Sequence, residues 1–541
     1  MKAAYASVLI LLMPLFMFGQ KPDTGKHVAK QDTINPYKGD IKGQLKEIKQ
    51  KKIALHSDSI APDSIGNQPK VVKVDTTVQN KYGDLLDDDP KYNKRYCILI
   101  PLVEGMGDNA LLSLVDSKIL KYDWAQVSLD SWHRNFDAGF PWSNKWVWDQ
   151  TRFGNDFLGH PMFGSLYYND ARANGYNFWE SAPFALIGSY EWKICGENIP
   201  PERNSLIATT VDGICLGEIL YRISSNILDD RTTGANRLFR EILATIVDPM
   251  RGFNRLLQGK TSRSTNKEVY SKEPLNITLY GGVNEISTHT NAIFNGKTTE
   301  LVNLQLDYGN PFEVCNRTPF AFFKLKLETS FGAGRKFVDN VTGYGNLYAK
   351  NSQAGKLALL EGLFLYYDYW DNPTFELSTI GLGPSVFSKL ALSQYNNLYT
   401  SAHVGIVPFA GTSTGPVSDT SQARDFNFGY GWEAKVGTSL ALGNVATIGV
   451  SYEYFFVHCI NDVGLDEPAV GTLGNNNISI LQPKITIRIY KDLSIGYEYY
   501  LYTEIHNSNE GFPRATYGLT EQKLFLQFYF EDPQRRGHYD D

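Results

Sequence analysis

From Leu275 onward the chain alternates in character residue by residue. Leu493, Ile495, Tyr497, Tyr499 and Leu501 interleave with Ser494, Gly496, Glu498 and Tyr500. Leu481, Pro483, Ile485, Ile487 and Ile489 interleave with Gln482, Lys484, Thr486 and Arg488, and Phe323, Leu325 and Leu327 with Lys324, Lys326 and Glu328. Successive side chains of a strand point to opposite faces, so a period of two makes one face apolar and the other polar. A soluble sandwich turns the apolar face inward and a membrane barrel turns it outward. Alternation by itself does not separate the two.

The connections do. Strand-like segments run roughly over 274–289, 298–310, 319–333, 340–351, 356–370, 375–393, 396–411, 425–442, 445–457, 477–490, 493–506 and 515–530. Gly443-Asn444 and Lys491-Asp492 are tight turns on one side, while Gly411 to Asp425, His458 to Asn476 and Asn507 to Thr516 are long loops on the other. Short periplasmic turns opposite long external loops are the habit of outer-membrane barrels. The link from Gly309 to Pro319 is longer than this scheme predicts. The expectation is an antiparallel transmembrane β-barrel of about twelve strands over 274–530, with a tail at 531–541. An aromatic content of 13% supplies the interface girdles such a barrel uses. In that barrel Lys324, Lys326, Glu328, Glu453, Lys484, Arg488, Glu498 and Glu504 face the interior.

Ahead of the barrel the chain has three parts. Met1-Lys2 and the apolar run Ala3 to Phe18 read as a signal peptide over 1–20. Residues 21–94 are rich in Lys, Asp, Gln and Pro and read as a disordered periplasmic tether. Residues 95–260 read as an apolar helical domain, which makes the fold class α+β. Central helices are expected at Phe157 to Ala173, Phe178 to Ile194, Asn204 to Ile223 and Gly234 to Val247. His160, Gly164, Tyr168 and Arg172 share one face of the first, and Thr209, Gly213, Gly217 and Tyr221 one face of the third. Small residues at that spacing let a neighbouring helix approach closely. The helices are expected under the barrel or partly within it, on the periplasmic side, with their apolar surfaces against the inner leaflet or the barrel wall.

Asn155, His160-Pro161, Gly164-Ser165, Tyr167-Tyr168, Ala171-Arg172, Asn174-Gly175, Ser181, Glu191, Thr209 and Gly213 to Glu218 together resemble domain-of-unknown-function family 3943, of Bacteroidetes-type outer-membrane proteins. The resemblance covers about residues 105 to 260. It implies an exported protein with a β-rich C-terminal half, and no specific activity. Val211-Asp212 departs from the small apolar pair expected before the glycine, which brings a tight helix contact at Asp212 into question.

His160, Glu191 and Arg172 are the candidate catalytic residues. An imidazole beside a carboxylate can act as a general base, and a guanidinium can steady a phosphate or carboxylate. Ser181 or Ser189 can approach His160 from the neighbouring helix. The same residues also read as structure, with Glu191 paired to Arg172 and His160 satisfying a buried turn, because buried charges need partners in any case. His160 and Arg172 stand ~18 Å apart by helix rise, so one Glu191 cannot serve both: Glu191 is expected to orient His160, and Arg172 either reaches back along its helix or is served by a second acid such as Glu218. Glu218 and Arg222, four apart, read as a helix brace.

No histidine spacing suits a metal, and no cofactor motif is visible. The five cysteines, Cys97, Cys195, Cys215, Cys315 and Cys459, form no CxxC pair, and their odd number excludes a fully paired framework. Net charge is -6 with no basic stripe, which excludes nucleic acid as a partner. Outer-membrane lipid is the expected partner, with a small solute or lipid as ligand. Two readings of function follow: an outer-membrane protein in transport or envelope integrity, or an envelope-lipid-modifying enzyme using His160, Glu191 and Arg172.

Overall fold

The computed structural model describes residues 94–140, 145–148, 153–266, 268–287, 297–312, 318–332, 337–372, 375–413, 426–460, 474–508 and 514–532. The expected signal peptide, the tether up to residue 93, the tail from 533, Cys315 and most of the three long loops lie outside the described residues.

Twelve strands close into one antiparallel barrel. They are β1 (Leu275–Ser287), β2 (Lys297–Tyr308), β3 (Phe323–Phe331), β4 (Val338–Ala354), β5 (Leu357–Asp371) and β6 (Glu376–Ala391). The second half is β7 (Asn396–Ser413), β8 (Phe426–Leu442), β9 (Ala446–Cys459), β10 (Gly474–Tyr490), β11 (Leu493–Ser508) and β12 (Ala515–Phe530). Leu279 of β1 pairs with Leu304 of β2 on one side and Phe528 of β12 on the other, which closes the ring and leaves no open edge. The overlong link between β2 and β3 has a structural task. Its last residues bond onto β4, with the Phe320 amide donating to the Asn346 carbonyl (2.6 Å), and the Pro319 carbonyl accepts from Arg222 (2.6 Å).

Contacts between strands that are not neighbours reveal the concave face. The Lys326 ammonium on β3 donates to the Tyr500 hydroxyl on β11 (2.9 Å), and that of Lys523 on β12 to Glu328 on β3 (2.9 Å). Trp370 on β5 meets Tyr500 edge-on across the lumen, with ring centroids 6.4 Å apart. Charged, polar and aromatic residues therefore line much of the interior, with an apolar layer of Leu377, Val407, Ile478 and Ile480 packed beside Trp370 and Tyr502. The opposite strand face is largely aliphatic where it is exposed. Glu433 is 0% exposed, whereas Val404 and Ile406 are 58% and 61% exposed. A soluble sandwich has the reverse order.

Seven α-helices are present among the described residues: α1 (Leu99–Leu114), α2 (Leu129–Gly139), α3 (His160–Ala173), α4 (Phe178–Glu191), α5 (Arg203–Ile227), α6 (Gly234–Val247) and α7 (Pro249–Leu257). None is long and apolar enough to cross a membrane. Asn177 opens α4 with a reciprocal capping box to Glu180. The π-helical turns Asn155–Gly159 and Trp192–Gly196 precede α3 and follow α4, where continuous α-helix is expected from sequence.

The helices lie against the outer face of the barrel wall, rather than beneath its rim or within its lumen. Ile277, Leu306, Leu325, Gly343, Tyr367, Ile380 and Phe409 form a line of register partners across β1 to β7. Ile219 and Cys215 of α5, with Phe157, join Leu306, Leu325, Tyr367, Ile380 and Phe409 in one apolar core. A 25-residue helix is ~37 Å long, enough to cross about seven strands at ~4.8 Å spacing. The physical reason for this placement is that the lumen is already filled, while the outward face offers unbroken apolar surface.

Candidate functional site

The site region grows out of the crossing of α3 and α5. Pro161 suits the first turn of α3, where a missing amide hydrogen costs nothing. Gly164 and Gly213 then bring the two helices to backbone contact, since a Cβ on Gly213 would lie 2.5 Å from the Gly164 Cα. The close approach questioned at Asp212 is thus made by the next residue. Asp212 is buried with its neighbour Cys215 on the barrel-facing side, and burial pushes its carboxyl well up.

This crossing fixes His160. Its Nε2 stands 3.4 Å from the Ser205 Oγ in the first turn of α5. Its Nδ1 stands 3.7 Å from an Asp156 oxygen, one turn earlier in the chain. The imidazole is 20% exposed, while Asp156 and Ser205 are buried. Hydroxyl, imidazole and carboxylate are therefore in series, with a different ring nitrogen facing each partner.

The other two sequence candidates have separate surroundings. Arg172 holds Glu218 with Nε at 2.8 Å and Nη2 at 3.1 Å, and lies over the Tyr221 ring. Glu218 also accepts from Arg222 (2.8 Å) and the Tyr168 hydroxyl (2.7 Å). Burial would push the Glu218 carboxyl up, yet the two guanidiniums hold it below the usual carboxylate range. Glu218 is the partner of Arg172, and the brace to Arg222 is formed; the alternative pairing of Arg172 with Glu191 is not. Glu191 is half-buried beside the Asn109 amide, and burial raises its carboxyl despite that hydrogen bond.

Two features escaped sequence reasoning. Ser205 stands where Ser181 or Ser189 was expected to approach His160, and Asp156 was signalled only by its four-residue spacing from it. The second is a buried chain in the lumen, with the Ser385 hydroxyl 2.9 Å from His403 Nδ1 and Nε2 3.0 Å from Glu433. These residues sit on β6, β7 and β8 and meet through register alone. Tyr366 stacks on His403 at 3.9 Å, which seals the group. Of the residues expected to face inward, Lys326, Glu328, Lys484 and Glu498 form one ion-paired group there. Among the described residues no three metal-ligating groups converge.

Residues 145–250 match the family model of a domain of unknown function, DUF3943. The DUF3943 segment carries Asp156, His160, Arg172, Glu191, Ser205 and Glu218, and it ends as α7 begins. No curated protein matches the chain. Among solved structures the chain is similar to the NanC porin, at 11% identity and TM-score 0.23, covering 47% of this chain and 98% of that one. It is similar to the outer membrane channel DcaP of Acinetobacter baumannii at 10% identity and TM-score 0.22, covering 47% and 96%. The Pseudomonas putida toluene transporter TodX gives 10% identity and TM-score 0.22, covering 48% and 90%.

Proposed function

We propose that this is an outer-membrane barrel whose lumen is closed by its own side chains, and that it serves envelope integrity rather than free passage of solute. The carrying observation is a set of contacts through the lumen: Trp370 to Tyr500 joins opposite walls, six strands apart in the ring, and Lys326 to Tyr500 and Glu328 to Lys523 join strands four and three places apart. Membrane placement is supported by the outward aliphatic face, on which Val436, Ile448, Val450, Ile487, Leu526 and Phe528 are exposed. Lipid is then the partner of that face. The tight turns after β8 and β10 lie at the same end as the start of β1, and short turns favour the periplasmic side for that end and for the chain that enters there.

Planar-bilayer recording and liposome swelling with the purified, heat-modifiable protein test this reading. The expected result is no sustained conductance and no sugar uptake. A stable open-pore current from the native protein would overturn it.

A further inference from the structure

We propose that Ser205, His160 and Asp156 form a nucleophilic site that cleaves the acyl ester of a membrane glycerophospholipid. The proposal rests on membrane placement and goes beyond the structural role given above. Three observations carry it.

The first is the order of groups. The serine hydroxyl faces Nε2 and the carboxylate faces Nδ1, so one nitrogen can take a proton while the acid orients the ring through the other. Separations of 3.4 and 3.7 Å are looser than hydrogen bonds, as is common at sites without substrate.

The second is the position of Ser205 in the first turn of α5. First-turn amides have no acceptor within their own helix, and the helix N-terminus favours negative charge. The Arg203 amide is taken by the Val147 carbonyl and that of Leu206 by Glu202. The Ser205 amide stands in the same turn, where the oxyanion of an attacked ester would form.

The third is access. Ser205 is buried behind His160, so substrate would enter at the imidazole edge, which is 20% exposed; Ile207, two residues after Ser205 on α5, adds an exposed apolar side chain that suits an acyl chain. The lumen group of Ser385, His403 and Glu433 has tighter distances, but its imidazole is 3% exposed against 20% for His160, so that group has no open edge. It is structural filling.

In the reaction, Ser205 Oγ attacks the ester carbonyl as His160 Nε2 takes its proton. Collapse of the tetrahedral intermediate breaks the bond to the lipid alcohol, which leaves with the proton from His160. Water then loses a proton to His160 and attacks the acyl-Ser205 ester; as the bond to Ser205 Oγ breaks, His160 returns that proton to the oxygen, which releases the fatty acid and restores the serine. The balance is one ester plus one water to one acid plus one alcohol.

The test uses the full chain in phosphatidylethanolamine–phosphatidylglycerol vesicles, read by mass spectrometry for released fatty acid and by a fluorophosphonate for covalent capture. Native protein is expected to release fatty acid and to carry the label on the Ser205 peptide. Ser205→Ala should lose both, and His160→Gln should slow both by about 10²-fold or more, with heat-modifiability kept. Ser385→Ala should retain both. An unlabelled Ser205 in folded protein, or undiminished release by Ser205→Ala, would overturn the site. Conductance of the same samples reports separately on the closed lumen, so failure of one reading is distinguishable from failure of the other.

Discussion

Gly164 and Gly213 touch backbone to backbone where α3 crosses α5. A Cβ on Gly164 would run into the Thr209 carbonyl oxygen, so even alanine forces the two helices apart. Overpacking of this kind costs about 1–3 kcal/mol where neighbours can yield, and a backbone carbonyl yields poorly. Gly164→Ala is therefore expected to lower the helical melting transition in circular dichroism and expose the domain to protease, while the barrel keeps its heat-modifiable gel mobility. Unchanged melting would contradict the crossing.

Removing the shared acid should hurt more than most core changes. Glu218→Gln leaves Arg172 and Arg222 buried without a counter-charge. Breaking a buried pair from one side costs about 3–5 kcal/mol. Chemical denaturation followed by tryptophan fluorescence is expected to show a loss of that order, and a loss below about 1 kcal/mol would mean that water or another acid serves both guanidiniums.

Acidity should stabilise the helical domain over a defined window. Burial, and then Glu104, pushes the Asp108 carboxyl up to about 7; burial, and then Asp108 and Glu104, holds Asp170 well above its ordinary value. Unfolded, both titrate near about 4. Between about pH 4 and about pH 7 the folded chain binds protons that the unfolded chain has lost, so stability falls as pH rises across that window. Glu218 shifts the other way and loses its contribution only at more acidic pH. The helical transition is expected at higher temperature at pH 5 than at pH 8, and Asp108→Asn should shrink the difference.

The wall contact can be trapped covalently. A Cβ on Gly343 would stand 3.6 Å from the Ile219 side chain. Cysteines placed at Ile219 and Gly343 are expected to be bridged by a short, reducible bis-thiol crosslinker, detected by a reduction-sensitive mobility shift. A pair at Ile219 and Phe528, on an exposed part of the wall, should stay unbridged. The opposite pattern would move the helices off this face.

Much of the barrel is readable from Phe323 to Leu327 and from Leu481 to Leu501, because strand period and turn length are local properties. The resting place of the helices is not. Leu325, Tyr367 and Phe409 point outward exactly as lipid-facing residues would, and alternation carries no mark of what covers them. The Arg172–Glu218 pair was within reach of helix-rise arithmetic. Ser205 was not, because its approach to His160 depends on how α5 crosses α3, and that angle is set by two glycines on different helices. Ser385, His403 and Glu433 needed strand register, which the sequence expresses only through the finished sheet.

A barrel clad along one side meets its surroundings unequally. In the proposed membrane setting, acyl chains would solvate β9 to β12 around their outward residues, whereas from β1 to the start of β8 much of the annulus is replaced by the chain's own helices. A neighbouring protein approaching in the plane of the bilayer would find two unlike flanks, one sheet-like and one helical. The order of synthesis adds a constraint, since the cladding is made before the strands it covers. Whatever the setting, the cladding can settle only after those strands have closed with their outer faces bare, and only then does the protein acquire its final perimeter.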